Sequence, residues 1–153
     1  AILHDIGKIS ISESILRKTG PLSKEEWEEM REHPRVGAHM VEGIPYLAPA
    51  VPTIRAHHER WDGSGYPEGL REAGIPESAR LLAIVDAFDA MTSDRPYHAA
   101  VEASHAQAEI SSQSGRLFDP AIVDAFNRCY QRGDISKVLQ TYHAMEGASG
   151  KSA

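Results

Sequence analysis

The sequence predicts an all-α fold. Apolar residues recur at helical spacing, without convincing strand alternation. Two segments open with helix caps: Ser23 with Glu26 forms a capping box, and Asp119 precedes Pro120 at the first helical position. A third stretch, from about Glu77 to Ser93, is long and rich in Ala, Leu, Ile and Val, as a central core helix would be.

In chain order, Ala1 to Asp5 reads as the end of a helix that Gly7 breaks. The capping box at Ser23 opens a charged helix carrying Trp27 and Met30, which His33-Pro34 breaks or restarts. Val36, Met40, Val41 and Ile44 fit one face of the next helix, ending near Pro45. A further helix is expected from about Pro49 to Arg60, leading into His57-His58. Trp61 to Gly69 holds too many glycines and prolines for a regular element and reads as a loop. The helix begun at Asp119 runs to about Arg132, with Cys129 in or near the core. Gly147 to Ala153 is small and polar and is expected to fray.

Composition narrows the function. The chain has 153 residues, 41% of them hydrophobic, which suits one domain with a core of its own. Its longest apolar run, Leu81 to Val85, is far below the roughly 20 residues of a membrane-spanning helix. The single cysteine excludes an internal disulfide framework and fits a reducing, cytoplasmic setting. With 16 basic against 22 acidic residues the formal net charge is −6, so the basic surplus of a DNA- or RNA-binding protein is missing. Any phosphate ligand must therefore meet positive charge supplied locally, and metal ions are one source.

Eight histidines are the other unusual feature. His4, Asp5, His33, His57, His58 and Asp86 are ligand-type residues in otherwise apolar or helical surroundings. Imidazole with carboxylate suits Mn, Fe, Ni or Zn, whereas calcium would take nearly all oxygen. Neighbours on a helix diverge by about 100°, so His4-Asp5 and His57-His58 would more naturally reach two ions than clamp one. Each histidine alone also fits an ordinary surface or capped position, and Asp86 fits a buried partner for an arginine. Lys8 tips the balance. It follows Asp5 and His4 by three and four residues, where it would repel metal ions unless an anion lay between. Arg95, nine residues after Asp86, could serve the same anion from the far end of the long helix.

Four motifs together, His4-Asp5-Ile6-Gly7-Lys8-Ile9, His33-Pro34, His57-His58-Glu59-Arg60-Trp61-Asp62-Gly63-Ser64-Gly65-Tyr66-Pro67 and Val85-Asp86-Ala87-Phe88-Asp89-Ala90-Met91-Thr92-Ser93-Asp94-Arg95-Pro96-Tyr97, closely resemble the HD-GYP domain. That family is a branch of the HD superfamily of metal-dependent phosphohydrolases. The resemblance implies a helical bundle of the HD-domain type and hydrolysis of the bacterial messenger cyclic di-GMP to pGpG and GMP. It further implies two or three divalent metal ions, iron or manganese, on His4, Asp5, His33, His57, His58 and Asp86. Asp5 and Lys8 would be catalytic. Lys8 and Arg95 would contact the phosphate, with Gly65, Tyr66 and Pro67 in a loop bordering the substrate. Asp62 and Asp89 are candidates to orient metal-bound imidazoles, while His39, His105 and His143 read as surface residues.

The resemblance also implies departures and partners. Family members often carry Lys or Arg after Arg-Pro-Tyr, where this chain has His98, which leaves one phosphate or guanine contact open. The family's helices before the His-Asp pair are not in the chain, so residues 1–132 are expected to form the domain without them. Residues 133–153 would add a helix and a disordered tail. A receiver or sensory domain upstream, a diguanylate cyclase partner and a homodimer are expected by the same resemblance. Another cyclic dinucleotide or nucleotide is an alternative substrate, and a ligand-sensing or interaction module without turnover is the alternative class. The presence of His4, Asp5 and Lys8 together argues for turnover.

Overall fold

The computed structural model describes residues 3–94 and 99–149, with side chains in the last helix as far as Thr141. Arg95 and His98 lie outside the described residues. Eight α-helices follow one another: α1 Glu13–Leu16, α2 Lys24–Met30, α3 His33–Glu42, α4 Val51–Ala56, α5 Glu77–Thr92, α6 Ala103–Ser112, α7 Pro120–Gln131 and α8 Asp134–Ser149. Three 3₁₀ turns, Ile6–Ser10, Pro45–Ala50 and Glu72–Gly74, complete the order, and no strand occurs among the described residues. No described helix is long and apolar enough to cross a membrane.

The caps form as expected. Glu26 N–H donates to the Ser23 hydroxyl at 3.3 Å while Ser23 N–H donates to the Glu26 carboxylate at 2.6 Å, opening α2. The Asp119 carboxylate accepts from Ala121 N–H at 2.8 Å, opening α7. Asp119 is also buried against Arg80, whose Nε donates to the Ile75 carbonyl at 2.9 Å and whose guanidinium lies over the Trp61 ring. Arg80 therefore ties α5, α7 and the loop after α4 together.

Several elements differ from the sequence reading, for local reasons. Leu3–Asp5 form a turn leading into the 3₁₀ turn, with Ala1 and Ile2 outside the described residues, and Gly7 sits inside the 3₁₀ turn, buried against α3. The buried side of α3 is His33, Pro34, Gly37, Ala38 and Val41, while Met40 and Ile44 are exposed. The helix expected from Pro49 to Arg60 is divided, because Pro45–Ala50 is 3₁₀ and α4 stops at Ala56. Helix α8 extends through Gly147, where fraying was expected, and residues 150–153 are not described. Helices α1 and α6 were missed. The first is a single turn, and the second buries only Ala106 and Ile110, too sparse a stripe to stand out.

Burial divides into two packed groups. Ala38, Val41 and Ile54 join α3 to α4, with Leu3 and Ile6 packed against them. Ile84, Phe88, Ala106, Ile110 and Val123 join α5, α6 and α7. Ala56, Ile75 and Ala79 connect the two groups where α4 meets α5. Side chains leaving the ends of the 3₁₀ turn, α3 and α4 meet at that seam.

Candidate metal centre

Two buried imidazoles define the site. His33 begins α3, directly after the break from α2, and its Nδ1 lies 2.7 Å from the Met30 carbonyl. His57 leaves the end of α4, and its Nδ1 lies 2.8 Å from the Ile54 carbonyl. A carbonyl oxygen only accepts, so in both rings Nδ1 carries the proton and Nε2 presents its lone pair. Backbone carbonyls thus orient these two imidazoles. The Asp62 carboxylate accepts from Ser64 N–H at 2.9 Å, and Asp89 accepts from the Ser93 hydroxyl at 3.3 Å.

Both lone pairs point at Asp5. His33 Nε2 is 3.4 Å and His57 Nε2 3.8 Å from Asp5 Oδ1, beyond good hydrogen-bond length. All three atoms are buried and have no hydrogen-bond partner. Three orphaned acceptor atoms facing one another are costly, since each has lost water and none has gained a donor. A cation removes the cost. Ligands each about 2.1 Å from one ion and roughly 100° apart lie about 3.2 Å from each other, close to the observed spacing. His58 joins the set: one ligand atom from each of Asp5, His33, His57 and His58 lies within 4.8 Å of the others. His57 and His58 share this cluster because α4 ends before them, so the helical divergence expected of neighbours does not apply.

Asp5 also faces the other way. Its Oδ2 is 3.4 Å from His4 Nε2 and 2.7 Å from Lys8 Nζ, and His4 Nε2 is 3.7 Å from Asp86 Oδ1. The six ligand-type residues named from the sequence therefore converge, with the Asp5 carboxylate between His33, His57 and His58 on one side and His4 and Asp86 on the other. Burial pushes the Asp5 carboxyl up, while the Lys8 ammonium, 2.7 Å from Oδ2, pulls it down.

The loop after the histidines closes over this cluster. Gly65 lies against the backbone of residues 58–60, where a Cβ would come within 2.6 Å of the His58 carbonyl oxygen. Its missing side chain thus serves a close approach to the protein itself. Tyr66 N–H donates to that carbonyl at 3.2 Å, and the Tyr66 ring stacks on His58 at 4.8 Å between centroids. The Pro67 carbonyl accepts from Arg35 at 3.2 Å. Sequence reasoning gave no role to Glu59, which the structure makes central. Buried at 4% exposure, it accepts from Glu68 N–H at 2.7 Å, Gly69 N–H at 3.1 Å and Leu70 N–H at 3.0 Å. An acidic residue directly before a loop full of unpaired backbone donors was the available signal.

Burial holds His58 down to about 3. The ring is therefore neutral, the form that donates a lone pair. The unfolded chain takes up this proton near pH 6.5, so between pH 6.5 and 3 it binds more protons than the folded protein. Stability must fall as pH is lowered through that window, by up to about 1.4 kcal/mol per unit from this residue. Urea unfolding of metal-free protein between pH 6.5 and 4.5 should show this slope, and His58→Gln should make it shallower by about that amount. Equal slopes in the two proteins would contradict the assignment.

The HD domain family matches residues 1–122. The chain is 47% identical over 128 residues to a cyclic di-GMP phosphodiesterase of Thermotoga maritima, covering 82% of this chain and 35% of that protein. It is 47% identical over 130 residues to the cyclic di-GMP phosphodiesterase response regulator RpfG of Xanthomonas campestris pv. campestris, covering 84% and 34%. The chain thus spans about a third of the length of these relatives. Among solved structures, a cyclic GMP-AMP-specific phosphodiesterase of Vibrio cholerae superposes with a TM-score of 0.62 at 19% identity, covering 85% of this chain and 36% of that one, which supports the all-α fold.

Proposed function

The chain belongs to the HD domain family, and on that footing we propose that it carries the catalytic site of a metal-dependent phosphodiesterase that opens cyclic di-GMP to pGpG, with a second cut giving GMP. One observation carries the reading: three buried acceptor atoms, on Asp5, His33 and His57, face one another without a donor. The names of the two relatives support the substrate. The name of the second, a response regulator, supports an input domain governing the site.

Asp5, His33, His57 and His58 would hold one divalent ion, and Asp5, His4 and Asp86 a second. Mixed imidazole and carboxylate ligands suit Mn, Fe, Ni or Zn, and the family resemblance implies iron or manganese among these. Metal ions in such a pair activate water for in-line attack at phosphorus and stabilise the charge that develops. The chain's own residues do the rest. Carbonyl-locked His33 and His57 cannot rotate away, and neutral His58 stays a ligand at physiological pH. Lys8, 39% exposed at the edge of the cluster, can turn from Asp5 to a non-bridging phosphate oxygen and offset its charge. Arg95 is proposed as a second phosphate contact. With metals, Lys8 and Arg95 together, an acidic chain can hold a dianionic ligand.

Lys8→Ala is expected to lower turnover by roughly a hundredfold, as losing one charge-stabilising donor does, while metal content is kept. A rate unchanged in that variant would remove Lys8 from the reaction. The function is tested by giving full-length protein, loaded anaerobically with manganese or iron(II), cyclic di-GMP and resolving the products. Formation of pGpG or GMP supports the reading. Tight binding without product would favour a sensing module, and turnover of a different cyclic dinucleotide alone would change the substrate.

A further inference from the structure

Arg31 is the least accounted-for charge near the metal cluster. It caps α2 on the exposed surface, with its guanidinium carbon 5.9 Å from the centroid of the Trp27 ring and 5.4 Å from that of Tyr66. Both distances are those of cation–π contact. Among the described residues no carboxylate lies in ion-pair contact with it, although its helix is acidic. Three of the nearby acids are engaged elsewhere: Glu26 with Lys18, Glu29 with Ser12 N–H and Glu32 with Arg35. Among the described residues, its five N–H donors thus sit on an aromatic support with no protein acceptor.

The position is as telling as the chemistry. Tyr66 stacks on His58, so ring contacts run from the cluster through His58 and Tyr66 to Arg31 and on to Trp27, itself 46% exposed. A ligand whose phosphate lies at the cluster would extend a base along this series. Flat support with a guanidinium fork at its edge is how proteins present arginine to a nucleobase. The fork matches guanine, whose O6 and N7 are both acceptors, and mismatches adenine, which places an amino donor beside N7.

We propose that Arg31, in cation–π contact with Trp27 and Tyr66, reads the O6/N7 edge of a guanine in the bound cyclic dinucleotide and sets the preference for guanine over adenine. This rests on the cyclic dinucleotide reading of the metal cluster. Arg31 contacts the base and takes no part in the reaction at phosphorus, so its effect belongs in KM.

The test compares metal-loaded full-length wild type with Arg31→Lys and Trp27→Leu. KM and kcat are measured for cyclic di-GMP, with the inhibition constant of cyclic di-AMP as competitor. Lysine keeps the charge over Tyr66 but loses the fork. The expected result is a KM for cyclic di-GMP raised roughly tenfold or more in Arg31→Lys with cyclic di-AMP inhibition unmoved, so that the preference collapses. Trp27→Leu should shift it the same way by less. An unchanged ratio of the two constants in both variants overturns the proposal. An equal loss of affinity for both dinucleotides also overturns it, placing the contact on the shared sugar-phosphate frame. Wild type that turns over no cyclic di-GMP would overturn the functional reading instead, and this inference with it.

Discussion

Asp5→Asn is expected to strip the site of metal and lower hydrolysis on the order of a thousandfold, while leaving the metal-free fold as stable as before. The loss follows from the position of Asp5, whose Oδ1 faces His33 and His57 and whose Oδ2 faces His4. An amide cannot bring negative charge to either side. Without bound ions the reaction forfeits several kcal/mol of transition-state stabilisation, and each 1.4 kcal/mol or so is a factor of ten. The stability half is the more discriminating. If Asp5 were simply the partner of a buried imidazolium, removing its charge would cost roughly 3–5 kcal/mol. If instead the imidazoles present lone pairs, the asparagine N–H donors meet orphaned Nε2 atoms and the metal-free protein loses nothing. Metal analysis, turnover and urea unfolding of the metal-free variant separate the two. Unfolding at much lower urea would contradict the account.

Gly7→Ala should act through the backbone. A Cβ at Gly7 would come 1.9 Å from the His33 carbonyl oxygen and 2.6 Å from the Gly37 nitrogen. These are main-chain atoms of α3, so no flexible side chain can yield. The 3₁₀ turn must move off α3, carrying Asp5 and Lys8 away from His33. Overpacking of this kind costs about 3 kcal/mol, which in a chain of this size lowers Tm by roughly 10 °C. Metal affinity should fall with it, because the separation of Asp5 and His33 sets the site. Gly43→Ala is the comparison, since a Cβ there meets nothing within 4 Å and φ is −77°. It should be neutral or slightly stabilising. Gly7→Ala protein melting within about 2 °C of wild type would show that this contact does not hold the site together.

The sequence disclosed what the site contains more readily than how it is assembled. His4, Asp5, His33, His57, His58 and Asp86 stood out because imidazoles and carboxylates in apolar surroundings are chemically conspicuous, and the four motifs gave them an order. The convergence on Asp5 was not legible. It depends on α2 breaking just before His33, which His33-Pro34 did signal, and on α4 stopping at Ala56, an end that no local residue marks. Extending that helix to Arg60 made His57 and His58 diverge, whereas the structure brings them together. The carbonyls of Met30 and Ile54 that set the imidazole tautomers carry no residue-type signal, since any residue has a carbonyl. Asp62, whose carboxylate accepts from Ser64 N–H, looked plausible for that task only because its side chain is visible in a sequence. The same blindness hid Glu59, whose partners are three backbone N–H groups. Caps behaved differently, because Ser23 with Glu26 and Asp119 with Pro120 act within a few residues of themselves.

The central claim, that the atoms around Asp5 form a metal centre, is tested most directly by crystallising manganese-loaded protein and recording anomalous scattering at the manganese edge. The account predicts one peak coordinated by Asp5 Oδ1 and the Nε2 atoms of His33 and His57, with a second on the Oδ2 side near His4 and Asp86. Loaded protein with no anomalous peak bonded to Asp5, and with Nε2 of His33 or His57 instead hydrogen-bonded directly to its carboxylate, would contradict it.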